Sequence, residues 1–162
     1  MHIEKISNNH QIEIIEALAC EIWNEHFTPI IGKAQVDYML EKFQSKKSIA
    51  KQIENGHLYF LIRKNSRHIG YLGASPESSH LFLSKLYITS AERGKGYGRK
   101  AIKFLEDLAI EKELRKILLT VNRNNSDTIE TYKKLGFVVQ RSIVKDIGSN
   151  FVMDDYEMVK DI

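Results

Sequence analysis

Apolar residues recur along this chain with two different periods, and the places where the period changes divide it into elements. Ile15, Leu18, Ala19, Ile22 and Trp23 fall at helical spacing and predict an amphipathic helix over roughly residues 11–26. Thr28-Pro29-Ile30-Ile31-Gly32 interrupts that pattern. A second helical stretch begins near Ala34, with Val36, Met39, Leu40 and Phe43 on one face. Ser45-Lys46-Lys47-Ser48 predicts a kink before a further turn or two that end at Asn55-Gly56. Residues 2–6 read as a short first strand. The middle of the chain is a meander: residues 57–63 and 68–74 are apolar runs joined by the hairpin signal Lys64-Asn65-Ser66-Arg67. Residues 75–79 turn again, and 80–89 form the third strand of this group. Ala101, Ile102, Leu105, Leu108 and Ala109 make the core stripe of a later helix. Residues 117–121, 137–145 and 151–159 are the last strands, with 146–150 turning between the final pair. Strands with helices distributed around them predict a mixed α/β sandwich.

The third meander strand empties into Arg93-Gly94-Lys95-Gly96-Tyr97-Gly98, and a helix follows. Glycines let a backbone approach a ligand closely. The first turn of the following helix leaves N–H groups unpaired, with partial positive charge from its dipole. Arg93, Lys95, Arg99, Lys100 and Lys103 add side-chain charge, with no acid between Glu92 and Glu106. This is a pocket for phosphate. A Walker loop is excluded because Arg99, and not Lys-Ser/Thr, follows Gly98. A dinucleotide site is excluded because no strand-end acid follows about 20 residues on.

A second block follows at helix-length separation. Leu118-Leu119-Thr120-Val121 reads as a buried strand that Asn122-Arg123-Asn124-Asn125 breaks. Ser126 is placed to cap the next helix, with Asp127 and Glu130 in its first turns, and Gly136 closes it in the left-handed position. The R-x-x-G-x-G string of Arg93, Gly96 and Gly98 resembles the acyl-coenzyme A loop of the GCN5-related N-acetyltransferase (GNAT) superfamily. The string V-N-x-x-N…Y-x-K-x-G-F, formed by Val121, Asn122, Asn125, Tyr132, Lys134, Gly136 and Phe137, resembles that superfamily's second signature block. The two occur in the right order, and the resemblance covers residues 57–140 best.

The resemblance implies a mixed, mostly antiparallel seven-stranded sheet flanked by about four helices, with strands 4 and 5 splayed to admit a pantetheine arm. It implies acetyl-CoA as acyl donor, with no metal. Pantetheine amides then pair with the strand backbone at Leu86, Tyr87 and Ile88, and the pyrophosphate sits on the amides of Arg93, Gly94, Lys95, Gly96, Tyr97, Gly98 and Arg99. A backbone N–H near Leu86 or Tyr87 polarises the thioester carbonyl. Tyr132 corresponds to the usual general acid, since a phenol stays protonated at neutral pH and can donate to sulfur. Asn125 is expected to contact the CoA arm and Lys134 to reach a phosphate. A glutamate on the fourth strand often serves as base in relatives, but this strand offers Phe82, Ser84 and Lys85 at the corresponding positions. No base carries over: a water relay, a backbone carbonyl or an acid from another segment remain open.

For the acceptor, the resemblance places a wall around Trp23, His26, Phe27, Pro29 and Tyr38, of which Trp23 reads as core. Ser84 joins it from the fourth strand. Asp154, Asp155 and Glu157 stand close together near the C-terminus and can attract a cationic amine, although alternation sends Asp154 and Asp155 to opposite faces. His26, His57 and His80 lack metal-ligand spacing and read as satisfied or solvated.

Composition narrows the classes. At 162 residues, with 43% hydrophobic and 28% charged content, the chain reads as one globular domain over residues 1–162. No apolar run approaches about 18 residues, so no membrane span is expected. Met1-His2-Ile3-Glu4-Lys5 lacks a signal-peptide apolar region, and one cysteine, Cys20, fits a reducing cytoplasm. Cys20 falls within a helical apolar pattern and reads as a buried structural thiol. The net charge of +3 concentrates around residues 93–103, which favours a polyphosphate ligand over nucleic acid, and only Tyr97 supplies an aromatic there. The expected partner is a small-molecule amine or polyamine, with a protein or peptide acceptor as the alternative and a homodimer left open. The rival from another class is a non-catalytic acyl-CoA sensor.

Overall fold

A computed structural model describes the whole chain, residues 1–162. The elements run β1 (His2–Lys5), α1 (Asn9–Ile31), α2 (Lys33–Gln44), α3 (Lys46–Glu54), β2 (Leu58–Lys64), β3 (Arg67–Pro76), β4 (Leu81–Ile88), a 3-10 turn (Ser90–Glu92), α4 (Tyr97–Glu111), β5 (Lys116–Asn122), α5 (Ser126–Lys134), β6 (Val138–Gly148) and β7 (Phe151–Asp161). The seven strands form one mixed sheet in the order β1-β2-β3-β4-β5-β7-β6. The β4–β5 pair is parallel, whereas β1–β2, β2–β3, β5–β7 and β6–β7 are antiparallel. Register between β4 and β5 covers only Leu81↔Ile117, Phe82↔Leu118 and Leu83↔Leu119, which is the expected splay. The helices number five, one more than expected, and none is long and apolar enough to cross a membrane.

The chain divides into two compact units, Met1–Ser75 with Lys85–Ala101, and Pro76–Ser84 with Ile102–Ile162. In the first, Ile12, Ile15, Leu18, Ala19, Ile22 and Trp23 form the buried stripe of α1. Phe60, Leu61, Ile62, Ile69, Tyr71 and Leu72 of β2 and β3 are buried too. Each such side chain contributes roughly 1.5–3 kcal/mol. Three expectations differ in the folded chain. The predicted interruption at residues 28–32 does not end the helix, because α1 runs through Pro29 to Ile31. Proline removes one donor in the last turn only, and the Gly32 N–H still donates to the Thr28 carbonyl at 3.0 Å. Cys20 is exposed, because at 100° per residue it lies off the stripe set by residues 15, 19 and 22. The predicted kink at Ser45 is a full break: its backbone is extended, and its Oγ caps α3 by accepting from the Ser48 N–H at 3.2 Å.

The second unit is built on β5, β6 and β7, with Ile117, Leu119, Val121, Ile147 and Met158 buried alongside Leu105, Ala109, Ile129 and Phe137. The last hairpin is tighter than its sequence implied. Strands β6 and β7 extend to Gly148 and from Phe151, and only Ser149 and Asn150 turn, both with positive φ (54° and 62°), as a type I′ connection demands. Lys160 of β7 donates to the Leu135 carbonyl at 2.7 Å and pairs with Glu106, so α4 and α5 both meet the face of β7 that carries Lys160.

Strand β3 lies unusually close to β4 at Gly70, where a Cβ would sit 2.2 Å from the Tyr87 carbonyl oxygen. Gly70→Ala is therefore expected to destabilise the protein by about 3 kcal/mol, read as a lower urea midpoint with unchanged slope. A variant as stable as the parent excludes this packing.

Candidate active site

The glycine loop is shaped from within. Arg93 Nε donates to the Ile88 carbonyl at 2.9 Å, so this side chain closes the loop back onto the end of β4. Gly94 and Gly96 take φ of 74° and 81°, which side-chain-bearing residues rarely adopt. Glu92 is buried and accepts from Lys64 (3.1 Å) and Lys95 (3.2 Å), and these hydrogen bonds hold its carboxyl below the ordinary range. Lys95 also donates to the Ala91 carbonyl, and Lys64 lies over the Tyr97 ring at 5.9 Å. The first helical bond of α4 is Lys100 N–H to Gly96 carbonyl at 3.2 Å, so the amides of Tyr97, Gly98 and Arg99 precede it without helical acceptors. Gly98 is already helical, and a Cβ there would meet nothing within 4 Å. Neither backbone angle nor packing requires glycine at that position. Open space beside free amides is what a pyrophosphate needs.

The carboxy-terminal half of β4 carries the expected pantetheine segment. Leu86 and Tyr87 are half-buried and Ile88 buried. Tyr87 packs on Trp23 (5.5 Å), Phe27 (6.0 Å) and Tyr71 (5.5 Å), an aromatic wall in which Trp23 is core as expected. Tyr38 takes a hydrogen bond from Lys42, one turn along the same helix. Beside the wall lies a polar cluster that the sequence did not announce. Tyr71 Oη donates to Gln44 Oε1 (2.8 Å), Gln44 Nε2 to Tyr59 Oη (3.2 Å), Tyr59 Oη to Gln52 Oε1 (2.7 Å), and Lys85 Nζ to the same oxygen (3.3 Å). Burial pushes the Lys85 ammonium down to about 8 and the phenols of Tyr59 and Tyr71 upward.

In the second unit, Asn125, and not the expected Ser126, is the N-cap of α5. Its amide donates to the Asn122 carbonyl at 2.9 Å, which fixes the turn one residue earlier, and its buried side chain makes no capping bond. Lys134 is exposed at the helix end. The Gly136 N–H donates to the Lys133 carbonyl and the Phe137 N–H to the Tyr132 carbonyl, both at 3.0 Å, and Gly136 has φ of 94°. This is a Schellman motif, and its accompanying apolar contact is Phe137 on Tyr132, ring centroids 5.4 Å apart. The Y-x-x-x-G-F spacing is thus one helix ending that orients the phenol. Burial pushes the Tyr132 hydroxyl upward, so it stays protonated.

The C-terminal acids separate. Asp154 pairs with Arg123 (2.8 Å), and buried Glu157 accepts Nε and Nη2 of Arg141 at 2.8 and 3.1 Å. Asp155 faces the other way from Asp154 and is buried; burial, reinforced by Asp154 and offset by a Thr120 hydrogen bond, pushes its carboxyl up to about 6. Glu157 shares the Asp155 face and borders a cleft of about 580 Å³ with Glu77, His80, Phe82, Leu118, Gln140 and Arg141. Ser84 follows Phe82 on β4 and is half-buried.

The acetyltransferase (GNAT) family model matches residues 5–137. The chain belongs to the GNAT family. A curated relative, the uncharacterized N-acetyltransferase YhdJ of Bacillus subtilis (strain 168), is 25% identical over 126 residues, 74% of this chain and 87% of its own. The solved PaiA N-acetyltransferase of Thermoplasma acidophilum, in complex with coenzyme A, superposes with a TM-score of 0.82 at 21% identity over 100% of both chains. A spermidine N-acetyltransferase SpeG chimera from Vibrio cholerae and hSSAT superposes with a TM-score of 0.68 at 20% identity over 99% of this chain and 96% of its own.

Within this GNAT fold, the sequence pattern gave no sign of Gln44 and Gln52, placed Lys85 only among the strand-four residues that replace a glutamate, and left His80 as a satisfied or solvated histidine.

Two outcomes are expected. Gly98→Ala leaves unfolding stability equal or up to about 1 kcal/mol higher while weakening acetyl-CoA binding by about tenfold or more in calorimetry; unchanged affinity removes the loop as the phosphate site. For Lys85, the folded value near 8 lies below the unfolded value of about 10.4, so the unfolded chain holds the extra proton between them. Stability therefore rises as pH climbs from about 8 toward 10, and Lys85→Met abolishes that rise in urea titrations.

Proposed function

We propose that this GNAT protein moves the acetyl group of acetyl-CoA to a primary amine, a small molecule or polyamine favoured, by direct attack in a ternary complex. Residues 1–162 act as one catalytic domain in this reading. The observation that carries it is the start of α4: three amides without helical acceptors beside Gly98, where an added Cβ meets nothing. Arg99 and Lys100 are exposed there, available to phosphate oxygens. Acetyl-CoA is a substrate here, held by the amides of the Arg93–Arg99 loop, of which the Arg93 N–H already donates to the Ser90 carbonyl at 3.2 Å, and by the backbone of Leu86–Ile88, with Asn125 and Lys134 as further contacts.

Three physical tasks follow. Holding amine and thioester together supplies the entropic part of the acceleration. An N–H at Leu86 or Tyr87 stabilises charge on the thioester oxygen. Tyr132 then protonates the departing thiolate, and its phenol, held protonated by desolvation, supports that role. For the acceptor, Phe27 joins the aromatic wall, with Tyr38 and Ser84 as neighbours in sequence reasoning. Asp154 and Asp155 were expected to draw the cation; the Arg123 pairing of Asp154 leaves Asp155 the better supported of the two.

A second reading, an acyl-CoA sensor without turnover, is favoured by one observation: Phe82 occupies a strand-four position where relatives carry a glutamate. Thiol release measured against spermidine, aminoglycosides, amino acids and peptides decides between them. Tyr132→Phe is expected to lower kcat by about 100-fold or more with acetyl-CoA affinity nearly intact. Undiminished turnover in that variant removes Tyr132 as the acid, and no thiol release with any amine favours the sensor.

A further inference from the structure

The cleft in the second unit gives the missing proton acceptor a place. Its floor is Phe82 and Leu118, register partners one step before β4 and β5 lose their pairing. Its rim is Glu77, His80, Gln140 and the Arg141–Glu157 pair. The apolar floor suits a methylene chain, and the Glu77 carboxylate on the rim suits an ammonium group. Helix α5, which carries Tyr132, packs on the β7 face of Asp154 and Lys160, whereas Glu157 and the cleft belong to the opposite face.

We propose that His80 is the general base of the reaction, taking the proton from the acceptor's ammonium group within this cleft. The inference rests on the transfer reading above and adds the residue that reading lacks. His80 Nδ1 lies 3.1 Å from the Ser79 hydroxyl. With Nδ1–H donating to that oxygen, the lone pair is on Nε2, which has no protein hydrogen bond. The loop is held in place by the Glu77 N–H, which donates to the His80 carbonyl at 2.9 Å. Of the other ionisable groups facing the cleft, Glu157 has both oxygens committed to Arg141. Glu77 is exposed at the turn before β4. Imidazole is the side chain most often used as a general base.

The step balances. The acceptor R–NH3+ gives one proton to His80 Nε2. The neutral nitrogen forms a C–N bond to the acetyl carbon as the C–S bond breaks, and the coenzyme A thiolate takes its proton from Tyr132. The amide nitrogen sheds its surplus proton to the phenolate left on Tyr132, and the imidazolium returns its proton to solvent. Base and acid thus work from opposite faces of the sheet.

His80→Gln separates this role from a structural one through the basicity of the nucleophile. Thiol release is measured with spermidine, whose amines are protonated at about pH 7, and with trifluoroethylamine, which is already neutral there. The expected result is a kcat/KM lower by about 100-fold for spermidine, with loss of the acid limb of its pH profile, and within about threefold of the parent for trifluoroethylamine. Equal loss with both amines, or retention of the parent rate and pH profile with spermidine, overturns the assignment while leaving the transfer reading standing. A parent protein that binds acetyl-CoA in calorimetry but releases thiol with neither of these amines nor any other of the panel above overturns the transfer reading and, with it, this one.

Discussion

Strand β4 has two different neighbours, and the difference organises the rest. Toward β3 it is held so closely that Gly70 cannot carry a side chain. Toward β5 its register stops after Leu83. Main-chain donors and acceptors that lose a strand partner must find another, because leaving one buried and unpaired costs about 1–3 kcal/mol. In the function proposed above, a carrier arm that is itself a chain of amides answers that need along Leu86–Ile88, and its nucleotide end meets the loop where β4 finishes. The order strand, glycine loop, helix is continuous, with each part positioned by the covalent chain leaving the part before.

Charge is distributed with similar economy. Around the loop, Glu92 restrains Lys64 and Lys95, leaving Arg99 and Lys100 as the exposed cations at the helix start. Near the C-terminus three acids crowd within four residues, yet Arg123 and Arg141 neutralise two of them. Asp155 is left at an intermediate proton affinity because it is buried beside a like charge. An acidic run read from sequence overstates the field it produces.

Much of the fold was legible because local chemistry and tertiary need agreed. The 64–67 hairpin, the glycine loop and the Gly136 terminus each have a steric or hydrogen-bonding reason that acts over a few residues. The misreadings came where a local rule met a stronger neighbour. Pro29 ended a helix in the sequence pattern but not in the structure, since packing of the preceding turns outweighs one lost bond. Asn125 displaced Ser126 as the cap because Asn122 closes the turn through its carbonyl. The candidate site divided in the same way. Loop glycines, Asn125 and Tyr132 announce themselves by spacing, whereas the polar chain from Lys85 to Tyr71 is assembled from β2, β3, β4, α2 and α3, and no one-dimensional pattern links those segments. His80 became distinguishable only once Glu77, Phe82, Leu118 and Glu157 were seen to share its cleft.

The helix ending at Gly136 has a consequence for mutational tolerance. Tyr132 is aimed by its own carbonyl's bond to Phe137 and by the ring resting on Phe137, not by any restraint on the hydroxyl. Its accuracy is therefore stored in backbone geometry four residues downstream, at an exposed glycine whose missing Cβ would come within 3.3 Å of the Lys160 side chain. With Tyr132 in the role of acid proposed above, a surface position that looks dispensable inherits the sensitivity of the chemistry, and natural variants should be purged there as strictly as at the phenol itself.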